Sequence, residues 1–414
     1  MDKKVRIGLV GCGGIAGAHM EAYEMLHAKG CQHFEITALF DPLPEAMERH
    51  AQRIQGFQEK TPRRFDNLDG LIASGLVDGV DICTPHADHH VSAIRCLKAG
   101  VHVLIEKPMG ITVRAAKLIQ ETVQQTGNIF SVAENSRRGL GQRAITWLFN
   151  QDKRIGDPRL FVINYITGPK LPLEPAKAPE PVAQLNWRND KFQTGGGWTH
   201  DGGIHLMDSL LVYFGEITSV FAEQKTQVPV FTLLADGSRV KSEREDVCIA
   251  TFRFKNGMIG NWTWSSVSPG MDYMRIAFYC EKGYVIDSTA GGWTHTFGGG
   301  FIPSDALITL PDGKTLLGRD LEMEYLLALP DAEREILFPH GVLRSVAQEC
   351  HEFIDCIRSG RHPEVDAQAG VEALAVSTAI YESALLNQVV AIEDIKSGKL
   401  DNFQHVIDQR WGLV

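Results

Sequence analysis

The chain has 414 residues, 44% of them hydrophobic and 22% charged, which is enough for two cores and too ordinary a composition for disorder. A net charge of −10, with no basic patches, argues against nucleic acid as a partner and leaves small molecules as the expected ligands. Met1-Asp2-Lys3-Lys4 runs directly into a strand without a signal-peptide pattern, and no segment holds about 18 uninterrupted apolar residues, so the expectation is a cytoplasmic protein with no membrane partner.

Val5 to Val10 is an apolar run, followed by Gly11-Cys12-Gly13-Gly14-Ile15-Ala16-Gly17 and a helix-like stretch through Ala28. This reads as strand, glycine turn and helix. Gly11 permits the tight turn, Gly13 lets a pyrophosphate approach the backbone, and small Ala16 allows close helix-strand packing. Gly14 and Ile15 open the helix whose N-terminus would face the phosphates. The next strand, Phe34 to Phe40, ends in Asp41, where an acidic residue accepts hydrogen bonds from the adenosine ribose and repels the 2′-phosphate of NADP. NAD is therefore the preferred cofactor. A turn or capping aspartate is the plainer reading of Asp41-Pro42.

The alternation continues. Helices are predicted over Pro44–Ile54 and Asn67–Ser74, then a strand over Val77–Cys83 whose end carries Thr84, Pro85 and His86. The helix His89–Ala99 is closed by Gly100 at its C′ position. The run Val101-His102-Val103-Leu104-Ile105 suits a buried strand and ends at Glu106-Lys107-Pro108. A helix over Thr112–Thr126 and a strand over Ile129–Ala133 follow, then Glu134-Asn135-Ser136-Arg137-Arg138. Such alternation specifies a doubly wound parallel sheet, in which ligands lie at the strands' carboxyl ends. Thr84, Pro85, His86, His89, Glu106, Lys107 and Asn135 are thereby candidates for cofactor contact. Lys107 can donate to a substrate oxygen, although a surface lysine after a strand reads the same by itself. His86, His89 and His90 also admit a metal reading, against capping, packing or cofactor contact; with no Cys or carboxylate cluster beside them, none is assigned to a metal. The eight cysteines form no C-x-x-C pair and read as reduced, buried small hydrophobes.

After a helix over Gln142–Phe149 the texture changes. Strands are predicted near Arg159–Thr167, Ile217–Lys225, Val247–Phe254, Met258–Trp264, Tyr273–Cys280 and Gly283–Ile286. Lys255-Asn256-Gly257 and Glu281-Lys282-Gly283 join neighbours as hairpins, so this half holds a mostly antiparallel sheet. Pro169 to Pro181 reads as an extended loop. Then come Asn186-Trp187-Arg188 and the stretch Gly195 to Asp208, where Asp201 and His205, four apart on a helix start, project from one face. A carboxylate that orients an imidazole, or shares a substrate hydroxyl with it, makes a general base; a capping Asp beside a packed His is the plain alternative. The segment 290–340 carries no functional reading. Two helical patterns, Leu343–Ser359 and Asp366–Leu386, close the chain.

Together these residues resemble the glucose-fructose oxidoreductase / inositol dehydrogenase (Gfo/Idh/MocA) family of NAD(P)-dependent oxidoreductases, nearly end to end. The resemblance rests on Gly11-x-Gly13-x-x-Ala16, Cys83-Thr84-Pro85 with His89, Ala99-Gly100-x-His102-Val103 leading to Glu106-Lys107-Pro108, Gly195 to Asp208, and Pro363-x-x-Asp366 with Ala379-x-Tyr381-x-Ser383. It implies an α/β chain: an N-terminal Rossmann domain over 1–134, then an α+β domain over 135–414 with a large open, mostly antiparallel sheet. Helices at about 343–388 would pack back toward the first domain. It implies that Lys107 contacts the substrate hydroxyl, that Glu106 and Pro108 shape the nicotinamide site, often with a cis peptide, that Asp201 and His205 complete the catalytic group, and that the open sheet makes a homodimer or homotetramer. His86 departs from the asparagine common in the family.

Arg137, Trp187, Arg188, Trp198 and His200 join Lys107, Asp201 and His205 as substrate-side candidates, with ordinary packing or a dimer contact as the alternative. Three activities fit: an NAD-dependent dehydrogenase of a sugar, cyclic polyol or sugar derivative; an NAD-dependent glycoside-cleaving enzyme that oxidises transiently and eliminates; and a non-catalytic NAD-binding regulator.

Overall fold

A computed structural model describes residues 4–169, 186–228, 231–233, 239–270, 272–287 and 305–414. The proline-rich segment beyond Pro169, and 290–304, lie outside the described residues. The chain divides into two compact units, Met1–Gly139 with Leu329–Val371, and Leu140–Ala328 with Glu372–Val414. The first unit thus extends five residues past 134 and takes in a later segment, because the apolar face of a helix there completes its core.

The first unit runs β1 (Val5–Val10), α1 (Gly14–Ala28), β2 (Phe34–Phe40), α2 (Pro44–Ile54), β3 (Arg63–Phe65), α3 (Leu68–Ala73), β4 (Gly79–Ile82), α4 (His86–Lys98), β5 (His102–Glu106), α5 (Val113–Thr126) and β6 (Phe130–Ala133). All pairs are parallel, in the order β3-β2-β1-β4-β5-β6. Helices cover both faces, so β4 and β6 are buried at every residue, as continuous apolar runs require. The order reverses between β1 and β4, which places a crevice at their carboxyl ends. Local chemistry agrees with the element ends. Asn67 Oδ1 accepts from Gly70 N–H at 2.7 Å to cap α3, Thr112 Oγ1 accepts from Ala115 N–H at 3.2 Å to cap α5, and Gly127 at φ +67° stops α5. α4 begins at His86, three residues before the sequence reading put it, since Pro85 stands well at a helix start, where it gives up no hydrogen bond.

The helix Ser345–Ser359 packs on α1. Its Val346, Ala347, Cys350, Phe353 and Ile354 share one core with Met20, Tyr23 and Leu26 of α1 and Ile7 and Leu9 of β1. At the start of β4, a Cβ on Gly79 would lie 2.9 Å from the Phe353 ring, so glycine is what lets the helix lie so close.

In the second unit a nine-stranded sheet is built from β7 (Pro158–Ile166), β8 (Ile217–Lys225), β11 (Val247–Phe254), β12 (Ile259–Ser265), β13 (Tyr273–Cys280), β14 (Tyr284–Asp287), β15 (Leu307–Thr309), β16 (Thr315–Leu317) and β17 (Val390–Ala391); β9 (Phe231–Leu233) and β10 (Arg239–Lys241) form a separate pair. The order is β16-β15-β14-β13-β7-β12-β11-β8-β17, antiparallel except where β7 meets β12. The two predicted hairpins join β11 to β12 and β13 to β14. Alternation divides the sheet's faces. Phe161, Phe252, Trp262, Trp264 and Phe278 are buried on one side, whereas Phe221, Ile249, Ile259, Tyr279 and Tyr284 are exposed.

The helix Ala367–Leu386 is long and apolar enough to cross a membrane, the one such helix among the described residues. Within the protein, 72% of its most apolar window is buried, and its Glu382 accepts from Phe403 N–H at 2.6 Å, which marks a core helix.

Candidate active site

In the first unit the parallel sheet brings Gly11, Asp41, Thr84, Lys107 and Asn135 to one edge, each just past a strand's carboxyl end. Gly11 takes φ +88°, and a Cβ there would stand 2.7 Å from the Cys83 carbonyl, so only glycine serves. Gly13 and Gly14 face open space instead. α1 starts at Gly14 and its N-cap, Gly13, brings no side-chain cap, leaving the first N–H groups for a phosphate, so the turn fits a dinucleotide's pyrophosphate. Asp41, just past β2, binds the turn: Oδ2 accepts from Cys12 N–H at 2.7 Å and Oδ1 from Leu43 N–H at 2.8 Å. The turn reading of Asp41 is thus met by these two bonds. Cys12 is buried, and burial pushes its thiol up to about 12, which leaves it inert.

Glu106 closes β5 and is buried; its Oε2 accepts from Lys107 N–H at 3.0 Å, and the Lys107-Pro108 bond is cis, as the resemblance implies. Lys107 itself is half-buried. Behind Glu106 lies a polar cluster that sequence reasoning missed. His19, on α1 and fully buried, sets Nδ1 2.9 Å from Asp81 Oδ2 and Nε2 3.0 Å from Glu106 Oε1; Tyr23 donates to Asp81 at 3.0 Å, and Glu349 stands 3.9 Å from His19. Burial, the largest single influence, would drive the imidazole toward neutrality, but the charge and hydrogen bond of Asp81, with smaller contributions from Cys83 and Cys350, together outweigh it and hold His19 protonated well above its ordinary range. The phosphate-facing helix and the lysine-bearing strand are thus joined through one buried imidazolium. An acid inside the apolar run Val77–Cys83 was the legible signal, since a buried carboxylate needs a partner.

His89 Nδ1 lies 2.7 Å from the Pro108 carbonyl and Nε2 3.0 Å from the Thr84 carbonyl, and burial lowers the ring's pKa to about 4. A neutral ring carries one N–H, so His89 donates to one of these two carbonyls, which belong to the backbone at the ends of β4 and β5. His86 and Asn135 are buried. Arg137 is half-buried, with Nη1 3.5 Å from the Glu364 carbonyl, while buried Arg138 pairs with Glu352 at 2.6 Å.

The second unit carries the other candidates. Asp201 ends a short helix, Trp198–Asp201, and His205 belongs to the next, Gly203–Phe214, so the single helix expected is broken at Gly202. Gly202 itself keeps helical torsions, φ −92° and ψ −37°, so the two helices adjoin with this one residue between them, and a Cβ on Gly203 would lie 3.1 Å from Trp262. Asp201 Oδ2 accepts from Arg188 Nε at 3.0 Å, and the Arg188 guanidinium covers the Trp187 ring at 4.4 Å. His205 and His200 are buried. Trp198 stacks on Trp264 at 4.5 Å and parallel to Tyr165 at 6.0 Å.

A second support was not visible in the sequence. Glu245, fully buried, accepts from Thr199 N–H at 2.6 Å and from Tyr381 Oη at 3.0 Å, while Tyr381 Oη accepts from Gly197 N–H at 2.7 Å. Burial raises the carboxyl's pKa. A Cβ on Gly196 would meet Tyr381, and one on Gly197 would collide with Glu245. The glycine run is therefore a docking strip for this pair, which sets the helix bearing Asp201. Glu245 sits in Ser242-Glu243-Arg244-Glu245-Asp246, which reads as a solvated charge run. An adjoining pocket of about 230 Å³, lined among others by Lys191, Arg244, Glu245 and Tyr381, includes neither Asp201 nor His205 in its wall.

Residues 5–134 match the oxidoreductase family with an NAD-binding Rossmann fold, GFO_IDH_MocA, and residues 150–286 match the GFO/IDH/MocA C-terminal domain. A levoglucosan dehydrogenase of Pseudarthrobacter phenanthrenivorans is 25% identical over 63% of this chain and 67% of its own length. A 2,7-anhydro-N-acetylneuraminate hydratase of Escherichia coli is 21% identical over 94% of this chain and 98% of its own. The chain spans about two thirds of the length of the first curated relatives it matches. A solved levoglucosan dehydrogenase in complex with NADH and L-sorbose shares the fold at TM-score 0.73 and 21% identity, covering 95% of this chain and all of that one.

Proposed function

The chain belongs to the Gfo/Idh/MocA oxidoreductases, and from that premise we propose an enzyme that moves a hydride between NAD, preferred over NADP, and a secondary hydroxyl of a sugar, cyclic polyol or sugar derivative. The observation that carries this reading is Lys107 at the carboxyl end of β5, on the same sheet edge as the glycine turn and Asp41. The nicotinamide supplies the hydride acceptor when bound. Gly11, Gly13, Gly14 and Ile15 would hold its pyrophosphate and Asp41 its ribose. Lys107 donates to the carbinol oxygen, and His205, oriented with Asp201, takes the hydroxyl proton. The carboxylate of Asp41 supports NAD over NADP by charge repulsion.

Screening polyols, aldoses and glycosides while recording both NADH formation and sugar release tests the proposal. NADH formed in proportion to substrate supports it. Sugar released with no net NADH favours redox-neutral cleavage, the second reading, which a hydratase among the relatives makes worth the parallel measurement. A regulator without catalysis would not need Lys107, Asp201 and His205 together. The exposed apolar face of the nine-stranded sheet supports a homodimer or homotetramer, and the eight free cysteines support a reducing, cytoplasmic setting.

A further inference from the structure

On the side of the first unit formed by the end of α1, three side chains far apart in sequence point at one another. Cys31 follows α1 after Gly30 and is buried; His351 lies on the helix Ser345–Ser359 and is half-buried; His340 stands exposed in the turn Pro339–Gly341. The thiol sulfur and one nitrogen of each ring lie within 4.8 Å of one another. In a tetrahedral zinc site with bonds of about 2.0–2.3 Å, ligand atoms stand roughly 3.3–3.8 Å apart, so small side-chain rotations close the gap.

We propose that Cys31, His340 and His351 form a binding site for a zinc-class divalent ion, with water in the fourth position. Two observations beyond proximity support it. The ring nitrogens of His340 and His351 have no hydrogen-bond partner among the described residues, although the rings meet edge to face at 6.2 Å. His340 also holds a left-handed backbone, φ +52° and ψ +25°, in a turn fastened by Glu335, whose Oε1 accepts from His340 N–H at 2.9 Å. A histidine in that conformation is uncommon and is held here with its ring toward the other two.

The donor set of two imidazoles and one thiol is borderline-soft, which suits zinc and excludes magnesium and calcium, both of which want oxygen. On binding, the ion would take the place of the Cys31 thiol proton. The exposed side of His340 is the route in. The ion would tie the end of α1, the 339–341 turn and the helix Ser345–Ser359 together, outside the redox chemistry.

The test uses untagged full-length protein, stripped with chelator and titrated with Zn²⁺ against a chromophoric competitor, and separately with Co²⁺ followed by absorbance. One equivalent per chain is expected, with a thiolate-to-cobalt band, a rise of several degrees in Tm on zinc loading, and affinity that increases from pH 6 to pH 8. Cys31→Ser and His340→Asn should each weaken zinc binding at least tenfold and remove the cobalt band, while far-ultraviolet circular dichroism and NADH binding match the parent. Failure to bind near one equivalent, or zinc and cobalt binding that both variants retain, overturns the site. The NADH measurement is independent, so this inference can fail while the proposed function stands.

Discussion

Lys107 and Asp41 stand on the same sheet edge with different tasks, and the difference is testable by substitution. Lys107→Met removes the donor proposed to act on the substrate oxygen and leaves the glycine turn intact. Turnover should fall below about a tenth of the parent while NADH affinity stays within a few-fold, measured by steady-state kinetics and fluorescence titration. Retained activity would move proton handling away from β5. Asp41→Ser should cost NAD affinity by about 1–3 kcal/mol and narrow any preference over NADP, since the substitution removes a charged acceptor from the ribose. Because Asp41 also holds Cys12 N–H and Leu43 N–H, part of that loss will come from a loosened turn and should affect both cofactors alike. The part specific to NAD is what reports on the ribose. A parent that already prefers NADP would show that the carboxylate serves the turn alone.

Among the elements, α1 and β5 are linked by His19, and that link has a pH signature. The folded pKa of His19 lies well above its unfolded value of about 6.5. Its contribution to stability is therefore present in full below about pH 6.5 and is lost as pH rises through the folded pKa. His19→Gln should flatten that decline and lower stability at pH 6 by about 3–5 kcal/mol, because Asp81 and Glu106 are left buried without their cation. Urea unfolding at several pH values measures both effects; an unchanged pH dependence would mean that the ring is neutral in the fold. Around Gly197, Tyr381→Phe should destabilise the second unit by about 1–3 kcal/mol, since one hydroxyl serves both Gly197 N–H and the buried Glu245 carboxyl. A midpoint in denaturant within error of the parent would demote that hydroxyl to a bystander. These two supports also mark where the sequence stopped being legible. The strands, hairpins and caps follow from local alternation and turn chemistry, and Lys107, Gly11 and Asp41 follow from their places at strand ends. His19, Glu245 and the backbone role of His89 depend on partners 46 or more positions away in two of the three cases, with Asp81 and Glu106 for His19 at separations of 62 and 87 and Thr199 for Glu245 at 46. No periodicity records such pairings.

At the scale of the whole molecule, the open sheet face and the split first unit each carry a consequence. Ile249 and Ile259 are about half-exposed, at 47% and 51%, among the apolar side chains of that face. The double variant Ile249→Lys, Ile259→Lys should shift the protein toward monomer in light scattering with the fold retained; a parent that is itself monomeric would end the oligomer proposal. The first unit, meanwhile, is not finished by its own first 139 residues, because Phe353 and its neighbours close the core over α1 and β1. Phe353→Ala should cost about 3–5 kcal/mol in unfolding experiments. During synthesis at about 5–20 residues per second, α1 emerges and then waits on the order of ten seconds or more for the helix that will cover it. For that interval Met20, Tyr23 and Leu26 are without that cover, so the glycine turn beside α1 is made well before the helix that secures it.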